Sequence, residues 1–176
     1  MIYRQAQQTD AEKIALLHAD SWRRTYRGLF TDNFLDNEAD SERTRTWNAR
    51  LKDNRPDQLV YIAEDAEILK GFVYVYGKHD DTWGSLIDNL HVSSAFKRQG
   101  IGTVLMANAF RWLHANFPNT PVYLWVMENN LAARQFYEKL GASNAGMIDK
   151  PNPVGGGSAR NYRYVWHNVN FVEEHN

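Results

Sequence analysis

The chain has no cysteine among its 176 residues. That absence excludes disulfides, thiolate-bound zinc and any mechanism built on a cysteine nucleophile. Net charge is nearly absent as well: 20 lysines and arginines against 21 aspartates and glutamates leave −1 at neutral pH. No global basic field gathers nucleic acid, and small molecules or peptides are the expected partners. No apolar run approaches the roughly 20 residues of a membrane span, and the opening Met1-Ile2-Tyr3-Arg4-Gln5 carries no long apolar segment, so a soluble cytoplasmic protein is expected. None of the six histidines falls at HxxxH or HExxH spacing, and no metal is expected. No internal repeat or low-complexity tract divides the chain, whose length suits a single domain over residues 1–176. Oligomeric state, monomer or homodimer, is open at this stage.

Aromatic residues are plentiful, at 13% with six Trp and nine Tyr, enough to line a pocket as well as a core. The pattern predicts a strand over Ile2 to Ala6. A helix capped by Thr9 or Asp10 follows, with Ile14, Leu17, His18, Ser21, Trp22 and Tyr26 recurring at three- and four-residue steps until Gly28. A charged helix spans roughly Glu38 to Asp53, anchored by Trp47 and Leu51. Leu59–Ala63 and Ile68–Tyr76 read as a hairpin, with Tyr74 and Tyr76 on one face and Val73 and Val75 on the other. Lys78 to Trp83 reads as a polar loop before a strand from Ser85 to Val92. Then come a helix from Gly100 to Asn116, a strand over Val122–Val126, a helix Ala132–Leu140 capped by Asn129 or Asn130 and closed by Gly141, and a strand Asn144–Met147. A loop over Lys150–Ser158 leads to a last strand, Asn161–Val169, alternating Tyr162, Tyr164 and Trp166 against Arg163, Val165 and His167. The order of elements gives a mixed α+β domain.

The chain's most informative stretch is the turn from Val92 through Lys97, Arg98, Gln99, Gly100, Ile101, Gly102 and Thr103 into the following helix. Glycines let backbone approach a ligand closely, and the first N–H groups of a helix have no intrahelical partners. With the helix dipole, Lys97 and Arg98, they suit a pyrophosphate. The turn is not a GxxxxGK loop, because no Lys-Ser or Lys-Thr follows Gly102, and it lacks the third glycine of GxGxxG. On this stretch alone a purely structural glycine pair is the alternative.

Lys97-Arg98-Gln99-Gly100-Ile101-Gly102 resembles the Q/R-x-x-G-x-G/A signature of the GNAT superfamily of acetyl-CoA-dependent N-acyltransferases, with Lys97 standing where Gln or Arg is usual. Asn130-Leu131-Ala132-Ala133-Arg134-Gln135-Phe136-Tyr137-Glu138-Lys139-Leu140-Gly141-Ala142 resembles its second motif, N-x-x-A-x-x-F-Y-E-x-x-G-F/A, in the expected order. The likeness extends faintly from Ile2 to about Val169. It implies a central, mostly antiparallel sheet with splayed strands flanked by helices, acetyl-CoA as co-substrate, and direct attack by an amine in a ternary complex. It assigns Leu90, His91 and Val92 to the pantetheine arm and acetyl carbonyl. Gln99, Gly100, Ile101, Gly102 and Thr103 go to the pyrophosphate, with Lys97 and Arg98 beside them. Asn130 reaches the pantetheine or serves as a plain helix cap, and Tyr137 is the general acid for the leaving thiolate.

The general base is less legible. Some relatives carry a glutamate on the strand before the glycine turn, where this chain has Leu86. Asp88, expected to face the same side as Leu86 and Leu90, and His91 are the candidates on that strand, alongside a water chain to a more distant group. The resemblance puts Trp22 and Tyr26 on a wall of the acceptor pocket, which ordinary core packing explains equally, and Trp83 closes the loop expected to border that pocket. Asp80, Asp81 and Asp88 would suit a cationic amine. The alternatives are a protein or peptide acceptor, and a non-catalytic acyl-CoA sensor that keeps the cleft.

Overall fold

The computed structural model describes residues 1–53, 55–151 and 157–167. The elements are β1 (Ile2–Gln5), α1 (Ala11–Thr25), α2 (Ala39–Lys52), β2 (Gln58–Asp65), β3 (Ile68–Asp80), β4 (Gly84–Val92), α3 (Ile101–Asn116), β5 (Val122–Met127), α4 (Leu131–Lys139), β6 (Ser143–Pro151) and β7 (Ser158–Trp166). The strands form one sheet in the order β1-β2-β3-β4-β5-β7-β6. Every neighbouring pair is antiparallel except β4 and β5.

Alternation along β2 and β3 builds two cores, because successive side chains of a strand point to opposite faces. Val73 and Val75, with Leu59 and Ala63, pack under Leu105, Ala109 and Leu113 of α3. Phe72 and Tyr74, with Val60 and Ile62, pack under Ile14 and Ala15 of α1 and Trp47 of α2. In β7 the same alternation sends Tyr164 and Trp166 to the α3 side and Val165 to the other. The helices therefore sandwich the sheet.

Several element boundaries differ from the sequence reading. Strand β3 runs on to Asp80, and β6 and β7 extend to Pro151 and back to Ser158, so the polar segments 78–80 and 150–151 pair as strand rather than loop. Paired neighbours supply the ladder that these polar residues would not nucleate alone. The remainder of the expected glycine loop, 152–156, and residues 168–169 of the last strand lie outside the described residues. A π-helical turn, Phe34–Glu38, precedes α2. Asp10 does not cap α1 with its side chain. Its carboxylate accepts from both terminal nitrogens of Arg4, at 2.7 and 2.9 Å, and from the Gln7 N–H, and these bonds, Arg4 above all, hold its carboxyl below the usual range against its burial.

Helix α1 is tied to β4 by a polar chain through the core. The Trp47 indole N–H donates to His18 Nδ1 at 3.0 Å, which places the His18 proton on Nε2, a buried atom with no partner. The His18 ring stacks 4.5 Å from His91, whose Nδ1 lies 2.7 Å from the Ser21 hydroxyl. Burial pushes the His18 imidazole well below its ordinary range, and His91, Arg43 and Arg50 push the same way. Burial also brings His91 down to about 4, helped by the charges of Lys97 and Arg43. Both rings are neutral at neutral pH.

At the foot of β4, Gly84 adopts φ +76, and a Cβ there would sit 2.2 Å from the Pro121 carbonyl oxygen. Backbone cannot yield as a side-chain tip can, so only glycine lets β4 meet β5 at this point.

Two outcomes are expected. Gly84→Ala lowers unfolding free energy by about 2–4 kcal/mol in urea titrations, combining left-handed strain with a backbone clash. The histidines act through pH: each binds its proton in the unfolded chain below about 6.5 but not in the folded one, so their stabilisation is full above that pH and is lost as pH falls. Between pH 7 and 5 the loss is up to about 2 kcal/mol for each histidine, and His91→Gln removes its share of the slope in urea midpoints measured across that range.

Candidate active site

Strands β4 and β5 pair only at Ser85–Val122 and Leu86–Tyr123, yet β4 continues to Val92 and β5 to Met127. Past those pairs the strands diverge, and the main-chain groups each turns toward the other have no strand partner. Into this gap opens a cavity of about 550 Å³, bordered by Ile87–Val92 of β4 and Leu124–Met127 of β5. Its wall takes residues from α1 on one face of the sheet and from α3 and α4 on the other, so it passes through the sheet at the split.

A β-bulge shapes the β4 side. Asn89 pairs with Tyr74 and Ile87 with Val75, leaving Asp88 as an extra residue. The bulge reverses the alternation, so Leu86 packs with Tyr123 on the α1 side whereas Leu90 packs against the α3 core. The expectation that Asp88 shares a face with both is thereby corrected; an unbulged strand was assumed. Asp88 reaches α2, its carboxylate 3.1 Å from Arg50, and the same guanidinium donates to Asn89 Oδ1 at 2.9 Å.

On the α3 side lies the glycine turn. Gly100 is the residue before the helix and adopts φ 79, with Arg98 also in the left-handed region at φ 63. The helix behind it is 16 residues long and carries no acidic residue in its first turn. Its leading N–H groups and dipole are therefore uncompensated by its own sequence. Lys97 and Arg98 are exposed and have no carboxylate partner among the described residues. Lys97, Arg98, Gly100, Ile101, Gly102 and Thr103 border the cavity, as do Leu90, His91 and Val92; Gln99 stands on the exposed loop and does not. Donor set and cavity fit a diphosphate joined to an extended arm running along β4.

Helix α4 delivers the remaining groups. Asn130 caps it, its side chain accepting from the Ala133 N–H at 3.3 Å, and also borders the cavity. The helix closes in a Schellman motif: Gly141 N–H donates to the Glu138 carbonyl and Ala142 N–H to the Tyr137 carbonyl. Gly141 sits at φ 85, as that motif requires. Tyr137 is thus fixed by its own backbone, and its ring lies edge-on to Trp166 at 6.0 Å. Its side chain is buried on the cavity wall, and its hydroxyl has no hydrogen-bond partner among the described residues. Burial raises the phenol's pKa far above neutrality, with Tyr26 adding to the shift. A phenol in this state can donate a proton to an anion formed beside it.

The opposite mouth is built by Ser21 and Thr25 of α1, Tyr26 just after it, Asp88, Trp125 and Asn161. Trp22 and Trp83 do not border the cavity. Trp22 packs against Phe30 and Phe34 beneath the Arg43 guanidinium, and Trp83 sits with Leu86 and Tyr123 under Arg163. Sequence reading missed Ser21, Thr25, Phe96, Trp125 and Asn161 as cavity residues. Ser21 left a trace on the helical stripe with His18, Thr25 follows it by one turn and Phe96 lies in the turn that leads to Gly100, whereas Trp125 and Asn161 depend on strand pairing between distant segments. Among the described residues no cluster of three His, Asp or Glu could hold a metal ion, and no helix is long and apolar enough to cross a membrane.

Comparison with known proteins agrees with this architecture. The family model described as acetyltransferase (GNAT) family matches residues 17–142. A probable N-acetyltransferase of Mycobacterium tuberculosis is 30% identical over 145 residues, 77% of this chain and 76% of the relative. An uncharacterized N-acetyltransferase of Bacillus subtilis is 25% identical over 133 residues, 72% of each chain. The PaiA N-acetyltransferase of Thermoplasma acidophilum, solved in complex with coenzyme A, shares the fold with a TM-score of 0.68 at 16% identity, covering 92% of this chain and 96% of its own. A probable acetyltransferase of Staphylococcus epidermidis does so with a TM-score of 0.73 at 12% identity, covering 94% and 97%. The match of the family model over most of the chain, together with the 30% identical relative, makes this chain a member of the GNAT family of acetyltransferases, a family that uses acetyl-CoA.

Proposed function

We propose that this chain is a single N-acetyltransferase domain that moves the acetyl group of acetyl-CoA to the primary amine of a small molecule, by direct attack within a ternary complex. The observation that carries the reading is the position of the Tyr137 hydroxyl, protonated and without a protein partner, on the same cavity as the open amides of α3. Acetyl-CoA supplies an activated acyl group on a thiolate leaving group. The α3 amides with Lys97 and Arg98 hold its diphosphate, Asn130 and the unpaired groups of Leu90, His91 and Val92 hold the arm, and a β4 N–H polarises the thioester carbonyl.

The amine enters from the α1 mouth, past Tyr26 and Trp125. Asp88 is the one carboxylate among the cavity residues and takes the ammonium proton, directly or through water, before the amine attacks. Tyr137 gives its proton to the departing sulfur. A phenol raised far above neutrality is never ionised at rest, and it yields its proton only as a strong base forms beside it. The size of the cavity, with both mouths walled by side chains, favours a small amine over a folded protein. We also place it in the cytoplasm, a reading supported by its use of acetyl-CoA; among the described residues no helix is long and apolar enough to cross a membrane.

Tyr137→Phe keeps the ring packing and removes only the donor. It is expected to lower kcat by about 10²–10³-fold while the Kd for acetyl-CoA, from calorimetry, changes less than about threefold. A thiol-release assay over an amine panel reads the first quantity, and turnover within a factor of two of the unsubstituted enzyme would remove the acid from Tyr137.

A further inference from the structure

Beside the α1 mouth stand two cations that form no salt bridge among the described residues. The Arg163 guanidinium lies between two indoles, 4.0 Å above Trp83 and 4.4 Å above Trp125, and the Lys150 ammonium is 4.3 Å from the Trp125 ring. Register fixes the set: Trp125 pairs directly with Arg163, and Met127 with Asn161, so Trp125 and Asn161 carry the cavity wall up to the cations. Arg163 Nε is buried without a hydrogen-bond partner, and the terminal nitrogens of that guanidinium have none either. Like charges held together on a partly buried surface, with a planar fork of donors unspent, are a costly arrangement unless an anion completes it. Lys150 reports the same field: burial lowers its pKa, Arg163 lowers it further, and Asp88 acts in the opposite direction.

The acids expected to favour a cationic acceptor are differently disposed. Asp80 accepts from the backbone N–H groups of Thr82 and Trp83 on one oxygen, both at 2.8 Å, and its charge also feels Arg163, though no salt bridge forms between them. Asp88 alone faces the cavity. The cavity wall therefore presents one carboxylate, and Arg163 and Lys150, which do not border the cavity themselves, stand just behind its Trp125 edge without a salt bridge among the described residues.

Resting on the transfer reading above, we propose that the acceptor is a zwitterion, a small amine that also bears a carboxylate in the manner of a free amino acid. Its carboxylate is bound by Arg163 with help from Lys150, and its ammonium is turned toward Asp88. Arg163 is then a specificity-determining residue. Its guanidinium is pre-oriented by stacking between indoles, which leaves its edge free for a bidentate carboxylate.

The test pairs turnover with binding. The common L-amino acids, their amides and their decarboxylated amines are assayed by thiol release, and the same compounds are titrated into the coenzyme A-loaded protein by calorimetry. For the best amino acid, kcat/KM is expected to exceed that of its amide and its amine by at least tenfold. In Arg163→Gln this ratio falls at least tenfold, mainly through KM, and in Lys150→Gln it falls less; near-ultraviolet circular dichroism checks that each variant is folded. Amides or decarboxylated amines used as well as the amino acids, or a preference that survives Arg163→Gln, overturns the proposal while leaving acetyl transfer intact. Amino acids that bind in an Arg163-dependent manner without thiol release leave the carboxylate site standing and overturn the transfer reading instead. If no amino acid binds and none is acetylated, the carboxylate site falls.

Discussion

The structure depends on a pairing that stops early. Parallel strands need a long crossover, and α3 supplies it between β4 and β5, but the pair holds only at Ser85–Val122 and Leu86–Tyr123. A continuous ladder would have satisfied the backbone and closed the sheet. Instead the outer halves of both strands keep their hydrogen bonds to β3 and β7 alone, and the cavity opens between them. Gly84 fixes where the pairing begins by admitting the Pro121 carbonyl, and the bulge at Asp88 turns β4 just beyond where it ends. Binding surface is thus created from main-chain groups that the fold declines to pair among themselves.

Around that gap, charge is placed by what each element omits. No acid occupies the first turn of α3, so its dipole and Lys97 and Arg98 are left for an external anion. Tyr137 has ring neighbours on two sides, Phe136 and Trp166, but nothing for its hydroxyl. Elsewhere the chain satisfies such groups thoroughly: the Tyr74 hydroxyl donates to Gln58, the Tyr61 hydroxyl to the Tyr3 carbonyl, and the Trp166 indole to the Leu140 carbonyl. Against that background the few unspent donors stand out: the Tyr137 hydroxyl on the cavity, the Arg163 guanidinium beside its α1 mouth, and His18 Nε2 in the core.

Much of this was legible in the sequence where a function is encoded by contiguous residues. The glycine turn and the Asn130–Ala142 segment announce a strand-to-helix anion site and a capped, glycine-terminated helix because their chemistry is local: positive φ, caps, a missing acid. The two-faced hairpin of β2 and β3 was equally plain, since alternation is a property of the strand itself. What could not be read depends on partners far along the chain. The bulge at Asp88 has no local marker, and it sent Leu86 and Leu90 to opposite faces. Polar residues 78–80 became strand because β4 lies beside them. Ser21, Trp125 and Asn161 meet at one cavity only through the order in which the sheet is assembled.

That same dependence explains why the acceptor side carries so little signature. Donor-binding groups come from one turn and one helix cap, whose geometry tolerates few residues. On the proposed reading the acceptor mouth draws single side chains from α1, β4, β5 and β7 rather than from one contiguous segment. Arg163 illustrates the difference. Its neighbour in β7, Tyr164, is buried and bonded to Glu138 on α4, a contact that secures the helix carrying Tyr137. Arg163 points the other way along the same strand, onto Trp83 and Trp125, where stacking orients a charge without consuming its hydrogen bonds. One strand thus braces the helix carrying Tyr137 with alternate residues and carries its Arg163 side toward Trp83 and Trp125, so on the proposed reading substrate preference can change while the transfer machinery stays fixed.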